Sequence, residues 1–210
     1  MTSLELEEYE KQLERWPQKG NVVQAQFNDN EVVVYQAYRK EIAEYAVDHQ
    51  QFGGDFFNWN RTSWIKPNFT WMMYRCGWAE KKNQERVLAI RIKRSFFDTV
   101  LSNAVHSSFD PTIYETIEEW QKRLRKADVV LQWDPDHEPF TNHRYPRRAI
   151  QLGLRPNIMS KFQNDEVIIG IEDITDFVRS GKSMDILHTP RESVYPVSTE
   201  VGEKLGITIS

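Results

Sequence analysis

The stretch QWDPDHEPF, residues 132–140, sets Asp134, Asp136 and Glu138 at alternating positions behind Gln132. Three carboxylates in five residues can orient a ribose hydroxyl, act as a general base or bind a hard cation. With Pro135 and Pro139 among them, they can equally form a solvated acidic turn at the end of a strand. HRYPRR, residues 143–148, follows with Arg144, Arg147 and Arg148, which could do no more than pair with those acids.

A second group lies in RTSWIKPNFTWMMYRCGW, residues 61–78, where Trp64, Phe69 and Trp71 alternate with Arg61, Lys66 and Arg75. Flat rings beside cations suit a ligand with a base and a phosphate, each stacked base contributing about 1–3 kcal/mol. Trp71, Tyr74 and Trp78 fall at helical spacing and are expected in the core, whereas Arg61, Trp64 and Lys66, ahead of the helix, are expected at a site. A helix opening on Lys-Pro-Asn also leaves backbone donors for an anion. A third group is Tyr38, Arg39 and Lys40 at the end of an apolar strand, where Arg39 offers a planar fork to a phosphate or nucleotide. Its alternative is a surface pair with Glu41 or Glu44.

Other chemistries find little support. The chain has no glycine-rich phosphate loop, dinucleotide fingerprint, HExxH or GxSxG motif. Its five histidines, at 49, 106, 137, 143 and 188, form no i, i+4 pair on an expected helix, and Cys76 is the only cysteine, so no metal is expected. Net charge is −4, against a general nucleic-acid coat, but residues 51–100 carry nine Lys/Arg against four Asp/Glu while residues 1–50 carry five against ten. The aromatic quarter is thus the basic one, which favours a nucleotide or single-stranded nucleic acid as partner. Without a basic, apolar leader or a run of about 18–20 apolar residues, the sequence reads as cytoplasmic with no membrane partner.

The elements that must position these residues follow from periodicity. Thr2 and Glu5 have capping-box spacing for a helix ending at Pro17. Residues 22–27 and 31–38 read as strands joined by Asn28-Asp29-Asn30, and 39–50 as a helix stopped by Gly53-Gly54. Residues 61–65 read as extended, with Pro67 at the first position of the next helix, and 85–94 as a strand. Ser95 with Asp98, and Asp110-Pro111, open two further helices, the second with a stripe of Ile113, Ile117, Trp120 and Leu124. Residues 128–133, 148–154 and 166–171 read as strands, and 179–196 as a surface loop. Several strands lie too close together for crossover helices. The expected fold is a single α+β domain with a mixed, largely antiparallel sheet, whole or split, flanked by helices. Residues 1–20 are read as a helical lead-in, 21–180 as the domain and 181–210 as a loop-rich tail.

In this order, YQAYRKEIAEYAVDHQQFGG, RTSWIKPNFTWMMYRCGWA, QERVLAIRIKR, QWDPD and RRAIQLGLR resemble a widespread bacterial and fungal family of unknown function, over roughly residues 22–180. A second resemblance is to the ADP-ribosyltransferase superfamily, carried by Arg39 after VVVYQAY, by Thr62-Ser63-Trp64, and by Gln132-Trp133-Asp134, similar to a Gln-x-Glu pattern with Asp in place of Glu. That resemblance implies a split sheet that grips NAD. Tyr38, Arg39, Arg61, Thr62, Ser63, Trp64 and Lys66 would bind the cofactor, and Asp134 with Gln132 would act at the ribose. Gln151 is another occupant of the Asp134 role. The resulting expectation is an NAD-dependent ADP-ribosyltransferase-like enzyme acting on a nucleic-acid or nucleotide acceptor. Its rivals are a non-enzymatic single-stranded nucleic-acid binder and a metal-dependent hydrolase using Asp134, Asp136 and Glu138.

Overall fold

Alternation of Val, Ile and Leu builds two half-sheets that share one curled surface, seen in a computed structural model that describes residues 2–163 and 166–208. In chain order the elements begin with β1 (Leu6–Glu8), α1 (Tyr9–Arg15), β2 (Gly20–Val22), β3 (Gln24–Ala25), β4 (Glu31–Tyr38) and α2 (Lys40–His49). Next come β5 (Ser63–Ile65), α3 (Phe69–Cys76), β6 (Arg86–Lys93), α4 (Arg94–Asn103), β7 (Ala104–His106) and α5 (Ile117–Lys126). Then follow β8 (Val129–His137), β9 (Arg144–Leu154), α6 (Pro156–Met159), a 3-10 turn (Ser160–Gln163), β10 (Ile168–Asp173) and α7 (Thr175–Gly181). β11 (His188–Pro190), β12 (Ser193–Val194) and α8 (Thr199–Leu205) complete the series.

One half-sheet has the order β10-β6-β4, all antiparallel. The other has the order β2-β9-β8-β7, with antiparallel β8·β9 at its centre and parallel pairs β2·β9 and β7·β8. β5 joins β9 beyond β2, with Trp64 opposite Gly153. The halves meet where Tyr35 and Lys66 exchange backbone hydrogen bonds of 2.7 and 3.2 Å. The protein is therefore a single α+β domain with a mostly antiparallel, curled sheet, as its periodicity implies.

Because strand side chains alternate, β4 and β6 give one face to each of two cores. The larger core joins Val34, Ile65, Leu88, Ile90, Leu131, Ile150 and Leu152 to the apolar sides of α2, α4 and α6, and includes Leu205 of α8. The second packs Val33, Tyr35, Val87 and Ala89 under Phe69, Met72, Met73 and Cys76 of α3. β6 is thus apolar on both faces over Val87, Leu88, Ala89 and Ile90. α3 begins at Asn68, whose Oδ1 accepts from Trp71 N at 2.7 Å, and ends on left-handed Gly77. Pro67 therefore precedes the cap instead of opening the helix.

Several elements depart from their sequence expectation. The first helix starts at Tyr9, because Leu6–Glu8 pairs with His188–Pro190. α2 ends on left-handed Gln50, ahead of the Gly pair. Asp110 caps only a turn, through Thr112 N, and α5 opens at Thr116 instead. QWDPDH is strand, not turn: β8 runs to His137 because a register shift between Pro135 and His137 absorbs the proline's missing donor. Residues 188–205 are built into the fold by two strand pairings and by the burial of Thr189, Glu192, Tyr195 and Leu205.

Candidate functional site

Gln132 and Asp134, two residues apart on β8, project from the same sheet face, and Gln151 on β9 stands directly opposite Gln132. The Gln151 Nε2 donates to Gln132 Oε1 and to Asp134 Oδ2, each at 2.7 Å. One amide therefore fixes the carboxylate while leaving its other oxygen to a ligand. Burial raises the pKa of Asp134, opposed first by the Gln151 hydrogen bond and then by the charges of Arg148, Lys66 and Arg75.

Trp64 reaches the same face from β5. Gly153 makes this possible: a Cβ there would lie 2.8 Å from Thr62 Cγ2 and 3.0 Å from Trp64 Cζ2. A side chain at 153 would thus lift Thr62 and the indole off β9. Two residues beyond Trp64, Lys66 follows on the same face, 5% exposed, with its Nζ donating to Trp64 O at 3.4 Å. Burial pushes its pKa down to about 8, helped by the Arg75 charge and opposed by Asp134. Arg75, from α3, is exposed and completes a cationic edge.

The expected site residues therefore divide. Thr62, Trp64, Lys66, Gln132, Asp134 and Gln151 share one face. Ser63 and Tyr38 point to the opposite, core side, where the Tyr38 hydroxyl and Ser63 Oγ lie 3.0 Å apart and Gln36 Nε2 donates to Ser63 Oγ at 2.7 Å. Burial moves the Tyr38 pKa up to about 12. Arg39 is turned outward, paired with Glu41 at 2.7 Å and lying over the exposed Phe56 ring at 4.8 Å, which is the surface pairing its sequence also allowed. Arg61 is exposed in the segment before β5.

The acidic stretch also divides. Asp136 is fully buried against Arg147, whose Nε donates to Asp136 Oδ2 at 2.5 Å, and Glu138 accepts from Thr141 Oγ1 at 2.7 Å. Only Asp134 of the three faces the polar patch. Among the described residues no group of three or more His, Cys, Asp or Glu is placed to hold a metal ion. Two features were not singled out as site residues in the sequence, Gly153 and Arg148. A glycine inside the apolar alternation RAIQLGL was the available signal for Gly153, since it marks a close approach within a strand. Arg148 had none beyond its charge.

Curled half-sheets with an acid-amide-lysine-tryptophan patch define an α+β protein with a polar sheet face. The chain belongs to the family described as Domain of unknown function (DUF4291), whose model matches residues 22–197. A comparison with curated proteins finds no match to this chain.

Proposed function

We propose that the protein is an NAD-dependent ADP-ribosyltransferase-like enzyme working on the sheet face around Asp134. The observation that carries this reading is the convergence of Asp134, held by Gln151, with Trp64 and Lys66 on one face near the junction of two half-sheets. In such a reaction the bond from ribose to nicotinamide breaks, nicotinamide leaves with the electron pair, and positive charge develops on the sugar. Asp134 supplies fixed negative charge there, already oriented by Gln151, so little reorganisation is needed at the moment of bond breaking. Trp64 offers a ring face for nicotinamide. Lys66 and Arg75 meet the diphosphate, whose charge would offset the burial that now disfavours the Lys66 ammonium. The acceptor, a nucleotide or nucleic acid, forms the new bond to the sugar carbon and releases its proton to solvent.

Nicotinamide release measured with wild type and Asp134→Asn tests the reading. Asp134→Asn is expected to lower kcat by about a hundredfold or more with its fold intact. Undiminished release would remove Asp134 from the chemistry. Arg39→Ala is expected to leave turnover unchanged, since Arg39 is occupied by Glu41 away from this face. A purely binding protein would show no release with either chain, and an affinity for single-stranded nucleic acid that falls steeply with salt.

A further inference from the structure

A concavity of about 610 Å³ opens beside α3, between the end of that helix and the β8–β9 connection. Its size is in the range of small-ligand sites. Three of its lining residues are aromatic: Tyr74, Trp78 and Phe140. Tyr74 stacks on His137 at 3.5 Å, and Trp78 stacks on Phe140 at 4.1 Å, so the rings are held in fixed orientations by partners on both walls. Phe140 nonetheless remains 49% exposed. Both Trp78 and Phe140 have left-handed backbones, φ 56° and 62°, a conformation that bulky residues rarely adopt. Trp78 itself is 7% exposed and belongs to the second core, so Phe140, stacked on it, is the ring that the groove leaves open to solvent.

Charge selects among ligands for this surface. Lys81 and Lys182 line the groove, with Lys81 Nζ 5.9 Å from the Tyr74 ring centre. Lys81 Nζ donates to the Arg75 carbonyl at 2.8 Å, a bond that positions the ammonium without neutralising it. Lys182 is held by Glu80. Glu138, on the opposite wall, is the one lining carboxylate, and it can accept from an exocyclic amine. Rings for stacking, the Lys81 ammonium at the rim and an acceptor for a base edge together match an unpaired base and its phosphate. An aliphatic ligand would leave the lysines unused, and an inorganic anion would leave the rings unused.

We propose that this groove binds an unpaired nucleobase bearing a phosphate. The assignment stands apart from ADP-ribosyl transfer on the sheet face, and concerns different side chains. Adenosine monophosphate and a fluorescently labelled single-stranded RNA twelve-mer are titrated into wild type, Phe140→Ala, Lys81→Ala and Asp134→Asn. Wild type is expected to bind, Phe140→Ala and Lys81→Ala to weaken binding by about tenfold or more, and Asp134→Asn to bind as wild type does. Phe140 is exposed on a turn and Lys81 is on the surface, so both variants are expected to fold, which circular dichroism checks. Tighter binding of the twelve-mer with a steep salt dependence identifies a nucleic-acid chain as the source of the base, and equal affinities identify a free nucleotide. No binding of either probe at millimolar monophosphate and micromolar RNA overturns the proposal, as does binding that both groove variants leave unchanged. Because Asp134→Asn reports on the other face, nicotinamide release and groove binding can fail independently.

Discussion

Lys66 is held at a site that disfavours its charge, which makes it a sensitive reporter of what the sheet face is for. A base whose folded pKa lies near 8, against 10.5 when unfolded, binds fewer protons in the folded state between those values. Stability therefore rises with pH through that window, and the penalty for the buried ammonium is present in full below about pH 8. Lys66→Met keeps the chain length and removes the charge. It is expected to be more stable than wild type at pH 7 by about 1–3 kcal/mol, an advantage that shrinks as pH approaches 10. Urea denaturation of both chains at pH 7 and pH 10 measures this. A variant less stable than wild type at pH 7 would show that Lys66 serves packing instead of a ligand. Asp134 carries the complementary pH signature. Burial raises its pKa, so the acid limb of turnover should lie above the ordinary aspartate value of 3.8. Activity then falls as pH drops through that raised value, because the protonated acid supplies no negative charge.

At the scale of elements, β5 and α3 place the site by two different devices. β5 depends on the bare backbone of Gly153, and Gly153→Ala forces a methyl group against Thr62 and the Trp64 ring. The expected cost is about 1–3 kcal/mol, with a shift in tryptophan emission that reports displacement of the indole. An unchanged denaturation midpoint would mean that β5 adjusts freely. α3 depends on Asn68, whose Oδ1 caps the helix while its Nδ2 donates to the buried carboxylate of Glu192 at 3.0 Å. Asn68→Ala is expected to cost about 2–3 kcal/mol, more than a lone cap, because it also leaves Glu192 short of a donor. Denaturation by urea checks the figure. Much of this arrangement was legible in the sequence: alternation marked β4, β6 and the core of β9, and the Lys-Pro-Asn run lies just ahead of α3. Less legible was the reach of β8 through Asp134-Pro135-Asp136. Local composition there favours a turn, and only the register shift opposite β9 and the buried Arg147 partner of Asp136 make it strand. The site divided for a related reason. Period-two alternation sends Ser63 and Trp64 to opposite faces, although both lie in one conspicuous motif.

For the whole molecule, the notable dependence is on residues 188–205. β11 pairs with β1, β12 with β3, Glu192 receives Phe69 N at 2.6 Å, and Tyr195 meets Phe27 and Phe97 edge-on. Their composition of Ser, Pro and His reads as loop because the contacts that order them are all long-range. Burying Tyr195 and Leu205 alone contributes about 3–6 kcal/mol, comparable to the whole stability of a domain. A chain ending at Leu187 is therefore expected to lose its cooperative thermal transition, and a retained transition would show the domain complete without this segment. The same long-range closure joins the half-sheets at Tyr35 and Lys66, and so sets Trp64 near the Asp134-Gln151 pair. The proposed activity depends on that assembled face. Isothermal titration of NAD into wild type, Trp64→Ala and Arg39→Ala measures whether the face holds the dinucleotide. Wild type is expected to bind, Trp64→Ala to bind about tenfold or more weakly, and Arg39→Ala to bind as wild type does. No heat at millimolar NAD, or binding lost in Arg39→Ala and kept in Trp64→Ala, would remove NAD from this face.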